Sequence, residues 1–167
     1  KVSLATIFMK PNLGELDQIV EFAQKNNLEG VNFQPIIQNF AQPYNLHWFN
    51  KSELWPTDYK KISIAVDNLV SLKKSGKKIH NPLTQLELFK VYFKDPLTHT
   101  GAPCLVGETN FAVNEYGEVL LCYFMKPVGN VINNNPRKIW LSALAKKRRE
   151  QINLCKKNCN LLNCNYS

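Results

Sequence analysis

The chain has 167 residues, 44% hydrophobic and 20% charged, with a formal net charge of +8. That is ordinary for a single globular protein able to bury a core, and no stretch approaches the length of a membrane span. Five cysteines are an odd number, which excludes complete disulfide pairing, and a basic surplus by itself bears on solubility and nonspecific attraction rather than on fold.

The chain opens at Lys1 inside an apolar run, Val2 to Phe8, without a basic leader region or a small-residue cleavage site. It reads as the interior of a longer, soluble, cytoplasmic protein. The run itself predicts a strand buried on both faces of a parallel sheet. Asn12 follows as a helix N-cap with Glu15 in capping-box position, and Leu13, Leu16, Ile19, Val20 and Ala23 recur at helical spacing. Gly30 to Gln34 resumes the sheet. A βαβ unit with a right-handed crossover is expected. Ligands in such sheets bind beyond the carboxyl ends of the strands, where Asn12 and Gln34 stand. Each also has a plain structural explanation, as a helix cap and a strand terminus.

Residues 35 to 56 form a long connection rich in aromatics: Phe40, Tyr44, Trp48, Phe49 and Trp55. A connection of that length without secondary structure is functional or disordered, and the aromatics argue against disorder. It either caps a substrate pocket or covers the bottom of a barrel, and His47 within it reads as a packing or hydrogen-bonding residue. Thr57-Asp58 then opens a helix with Ile62, Val66, Leu69 and Leu72 on one face and Gly76 as its stop. Asn81-Pro82 restarts the chain into a second amphipathic helix carrying Leu83, Leu86, Phe89 and Phe93. Residues 96 to 103 are turn-rich and divide the chain into regions 1 to 98 and 99 to 167.

All five cysteines fall after that division, as C-x12-G-x4-C and then C-x3-C-x4-C: Cys104, Gly117, Cys122, Cys155, Cys159 and Cys164. Several soft thiolates brought from separate elements onto one place are what a polynuclear metal site needs. Phe111 to Val113 and Val119 to Tyr123 predict a hairpin turning on Asn114 to Gly117, with Gly117 at positive φ. It would carry Cys122 near the end of its second strand and Cys104 just before its first. A helix ending near Ile152 comes next. The tail beyond it has little apolar content and should become ordered only when its cysteines are clamped. Four cysteines could also close a tetrahedral zinc shell, although the paired C-x2-C knuckles of zinc ribbons are missing. Lys146-Lys147-Arg148-Arg149 is the sharpest nucleic-acid feature, set against the simpler reading of a solvated helix face.

Taken together, the C-x12-G-x4-C hairpin, Gly129-Asn130-Val131, a helix with Ile139-Trp140 and a terminal cysteine cluster resemble the SPASM/twitch extension of radical S-adenosylmethionine enzymes. The resemblance implies an α/β fold: the last βα units of a partial (β/α)6 TIM-like barrel, followed by a small hairpin-plus-helix domain that holds an auxiliary [4Fe-4S] cluster. Five cysteines rather than the seven of a full SPASM domain favour the truncated form with one cluster. Cys104 and Cys122 match the family motif position by position, and two of Cys155, Cys159 and Cys164 would complete the shell. Asn12 and Gln34 would lie at the rim that binds S-adenosylmethionine and substrate. The C-x3-C-x2-C loop of the cofactor-cleaving cluster is not in this sequence, so S-adenosylmethionine and a second [4Fe-4S] cluster would belong to an upstream half. A peptide or small-molecule substrate and an electron donor such as flavodoxin or ferredoxin are the implied partners, with membrane and nucleic acid set aside.

Overall fold

The structure, a computed structural model, describes residues 1–39, 42–101, 103–162 and 165–166. Phe40 and Cys164 therefore lie outside the described residues. The fold is a mixture of helix and strand of α/β type.

Strand β1 (Ser3–Phe8) pairs in parallel with β2 (Gly30–Pro35), in register from Ser3 opposite Gly30 to Phe8 opposite Pro35. Helix α1 (Leu16–Lys25) connects them and buries Leu16, Val20 and Ala23. Helices α2 (Tyr59–Lys74) and α3 (Leu83–Lys94) pack on each other, and between them Ile79 forms a parallel bridge to Val31. The third sheet position passes close to β2: a Cβ on Gly30 would collide with the Lys78 carbonyl, so only glycine fits there. Asp58 caps α2 by accepting from the Lys61 backbone N–H at 3.1 Å, and Gly76 follows at φ +89°, as the sequence predicts for both ends.

Two expectations fail here. β1 alternates between exposed and covered positions, and Ile7 keeps 42% of its surface exposed. It is an edge strand rather than one buried on both faces, because among the described residues it pairs only with β2. Asn12 does not cap α1, which starts at Leu16 after Glu15. Asn12 sits in a short 3-10 turn, where its Nδ2 donates to the Ile7 carbonyl at 2.8 Å and its Oδ1 accepts from the Met9 N–H at 3.1 Å. Pro11 suits that turn, and the chain leaves β1 through it before helix can begin.

The main core gathers Phe8, Phe33, Ile62, Leu69, Leu86 and Phe89, all fully buried. At one end Trp55 is packed among Trp48, Phe49, Tyr92 and Phe93 with ring centroids 5.0–5.5 Å apart. The long connection thus covers the carboxyl end of β1, where the Lys10 N–H also donates to the Leu54 carbonyl at 2.8 Å.

The second region is smaller. Helix α4 (Val106–Thr109) precedes the short strands β3 (Ala112–Val113), β4 (Glu118–Leu120) and β5 (Gly129–Asn130), which form an antiparallel sheet in that order. Gly117 turns the hairpin at φ +75°. Helices α5 (Pro136–Trp140) and α6 (Ala143–Asn153) follow, separated because Ser142 caps α6 by accepting from the Ala145 N–H at 3.1 Å. Val119, Leu121, Val128, Ile139, Ala145 and Ile152 form its core. The tail beyond α6 crosses back to the main core, where Leu161 is fully buried.

Candidate metal centre

The hairpin delivers Cys122 just past the end of β4, where the strand gives way to a turn closed by the Met125 N–H on the Cys122 carbonyl at 3.1 Å. Cys104 precedes α4 rather than the first hairpin strand, so one helical turn separates it from β3; a helix so short carries no periodic signal. Cys155 follows the end of α6, its N–H on the Ile152 carbonyl at 3.0 Å. Cys159 sits in a 3-10 turn, Asn158–Leu161.

These four side chains line one cavity, with Val106, Leu121, Phe124 and Ile152 among its apolar walls. Cys122, Cys155 and Cys159 are free thiols. Among the described residues, no three His, Cys, Asp or Glu side chains gather tightly enough to hold a single metal ion. The four cysteines share the lining of a single apolar-walled cavity. That arrangement suits a polynuclear centre, whose thiolates attach at separate irons.

Electrostatics tie the four together. Burial, and then the charges of Cys122, Cys155 and Cys104, pushes the Cys159 thiol up to about 12, and Lys157 pulls the other way. Burial likewise raises the Cys122 thiol, offset by a hydrogen bond from the Phe124 backbone and by the charges of Lys157 and Arg148. Metal binding here would release protons from these raised thiols. Arg148 Nε is buried without a hydrogen-bond partner among the described residues.

Hydrogen bonds hold the tail in place besides its cysteines. Asn158 is buried, donates to the Pro96 and Thr98 carbonyls at 3.0 and 2.8 Å, and accepts from the Thr100 N–H at 3.0 Å. Gln85 Nε2 donates to the Leu161 carbonyl at 2.9 Å, and Asn165 Oδ1 accepts from the Leu105 N–H at 2.7 Å. These side-chain clamps, invisible to periodicity, fix the segment around the cysteines from three sides.

Gln34 lines a separate cavity beyond the carboxyl end of β2, with Ile7, Ile36, Tyr123 and Leu162. Its carboxamide makes no hydrogen bond among the described residues. Tyr123 is the chain neighbour of Cys122, so this cavity adjoins the cysteine region. Asn12 is not part of its lining, and both ends of its side chain are held by the local turn. His47 is exposed and stands beside Phe49.

The basic run is only partly a solvated face. Lys146 and Lys147 are exposed, but the Arg149 guanidinium lies 4.1 Å from the centroid of the Trp140 ring and donates to the Gly107 and Trp140 carbonyls. The sequence reading also missed Tyr44, Phe124 and Lys157, which meet beside Cys159. The two lysines inside the C-x3-C spacing, Lys156 and Lys157, were the visible sign.

No curated protein and no solved structure matches the chain. Residues 104–165 match the SPASM family, described as an iron-sulfur cluster-binding domain. The match implies that this segment binds an iron–sulfur cluster.

Proposed function

We propose, starting from that SPASM segment, that the chain is the C-terminal portion of a radical S-adenosylmethionine enzyme and that its second region holds one auxiliary [4Fe-4S] cluster. The observation that carries the reading is the convergence of Cys104, Cys122, Cys155 and Cys159, from three separated stretches, on one apolar-walled cavity inside the matched segment. Such a cluster supplies one-electron transfer when bound. The chain's residues provide thiolates from a hairpin end, a loop and a tail, apolar walls that exclude water, and cations that offset charge. Cys164 is the remaining candidate ligand.

The first region reads as the last βα units of a partial (β/α)6 barrel. Its parallel strands, the bridge at Ile79 and the outer edge of β1 are compatible with further strands joining there. Gln34 would meet S-adenosylmethionine or the substrate at the cavity beyond β2, and Asn12 would shape the rim by holding the turn after β1. The complete enzyme would generate a 5′-deoxyadenosyl radical in an upstream half, act on a peptide or small molecule, take electrons from a donor such as flavodoxin or ferredoxin, and work in the cytoplasm.

Anaerobic purification followed by iron, sulfide and zinc analysis tests the reading. Brown protein with iron and sulfide in equal amounts is expected, and Cys104→Ala or Cys122→Ala should lose most of the iron. Colourless protein with stoichiometric zinc, or full iron retention in both alanine variants, would overturn it.

A further inference from the structure

Lys157 lines the cysteine cavity and is held there by its neighbours. Its ammonium lies 4.0 Å from the centroid of the Tyr44 ring and 5.8 Å from that of Phe124, and the two rings meet edge to face at 5.4 Å. Tyr44 is itself positioned from below. The buried Gln38 donates from Nε2 to the Pro43 carbonyl at 2.6 Å and accepts on Oε1 from the Asn45 N–H at 2.8 Å, clamping the backbone on both sides of Tyr44. On the other side, Asn158, the chain neighbour of Lys157, is locked to Pro96, Thr98 and Thr100. Lys157 and Phe124 line the cysteine cavity together with Cys159, while the adjacent Lys156 is exposed.

We propose that Lys157, seated on the Tyr44 and Phe124 rings, is a positioning residue that sets the reduction potential of the cluster bound by Cys104, Cys122, Cys155 and Cys159. The inference rests on the cluster reading above. One-electron reduction adds a negative charge to the centre, and a fixed cation at its edge stabilises that form more than the oxidised one. The long connection of the first region, through Tyr44, therefore acts on the redox behaviour of the second.

The test uses the full chain, reconstituted anaerobically with ferrous iron and sulfide and titrated with EPR detection of the reduced cluster. Lys157→Met should keep the iron and sulfide content of the wild type and lower its reduction equilibrium about tenfold, ~59 mV for one electron. Lys157→Arg should restore most of that loss, and Lys156→Met should match the wild type. Tyr44→Leu should shift the potential in the same direction and Tyr44→Phe should not. An unchanged potential in both Lys157→Met and Tyr44→Leu, at full iron content, would overturn this proposal alone. Wild-type protein that takes up no iron and sulfide would overturn the cluster reading and this inference with it.

Discussion

The two regions hold their folds by different means. The first buries large aromatic and aliphatic side chains around β1, β2, α2 and α3, and Phe8, Phe33, Phe89 and Leu86 are fully enclosed there. The second has strands of two or three residues and a core built mostly from Val, Ile, Leu and Ala, with the partly buried Cys104 and Cys122 packed against it. Apolar burial sustains the first, whereas the second completes its packing around a space lined with thiols. Stability and function are thus divided unequally along one chain.

The sharpest way to break the comparison is at Phe89. Phe89→Ala should cost about 3–5 kcal/mol in denaturant unfolding, because it removes a buried ring that meets Phe8 edge to face at 6.0 Å. Val119→Ala, in the smaller core, should cost less. Equal losses would mean that the second region is as self-sufficient as the first.

A subtler division runs through Gln85. It is fully buried, accepts from Asn81 Nδ2 at 2.7 Å and donates to the Leu161 carbonyl, while Asn81 pairs with both the N–H and the carbonyl of Phe33. Gln85→Leu should cost about 1–3 kcal/mol for each buried group left unsatisfied, and hydrogen exchange around Leu161 should quicken before exchange in β2 does. Uniform acceleration would show that the tail and the sheet open as one unit.

Much of the first region was legible because its signals are local. Asp58 and Gly76 mark the ends of α2 by cap chemistry, and the spacing of Leu86, Phe89 and Phe93 gives the buried face of α3; in the second region Gly117 marks the hairpin in the same local way. What escaped reading depends on contacts distant in sequence or on elements too short to have a period. Helix α4 and strand β5 are of the second kind; the burial of Leu161 and the meeting of Tyr44 with Lys157 are of the first. The cysteines were legible as a group from spacing, yet spacing did not say that Cys159 would feel the other three. Asn12 misled because a residue that caps a helix can equally lock a 3-10 turn.

The pH response should also separate the regions. In the metal-free protein Cys159, pushed up to about 12, and Cys122, also raised, sit above their ordinary thiol values through burial. Folded-state values above the unfolded ones give stability that is present below about pH 8.5, the ordinary thiol value, and lost as pH rises from there through the folded values. Thermal unfolding of the metal-free chain should therefore fall off between about pH 9 and pH 12, with the buried Tyr92 phenol of the first region, raised by desolvation, adding to the loss only above about pH 10. The iron-loaded chain should lose less over the same range, since its ligands are already thiolates. Parallel curves would sink the assignment of that slope to the cysteines.

The smallest effect concerns the basic run. Lys146→Gln with Lys147→Gln should change stability by less than about 0.5 kcal/mol, as exposed positions do. Arg149→Gln should cost about 1–2 kcal/mol, because it removes the stack on Trp140 and donors to two carbonyls. Equal effects would return Arg149 to the solvent-facing set.

The burial of Leu161 in the main core has a consequence for biosynthesis. During translation every other member of that core emerges from the ribosome first, and the space Leu161 fills stays open until the tail arrives. Nascent chain must therefore wait with a gap beside Gln85, and the segment that closes it is the same one that brings Cys155 and Cys159. Completion of the larger core and assembly of the thiol pocket are thus a single late event.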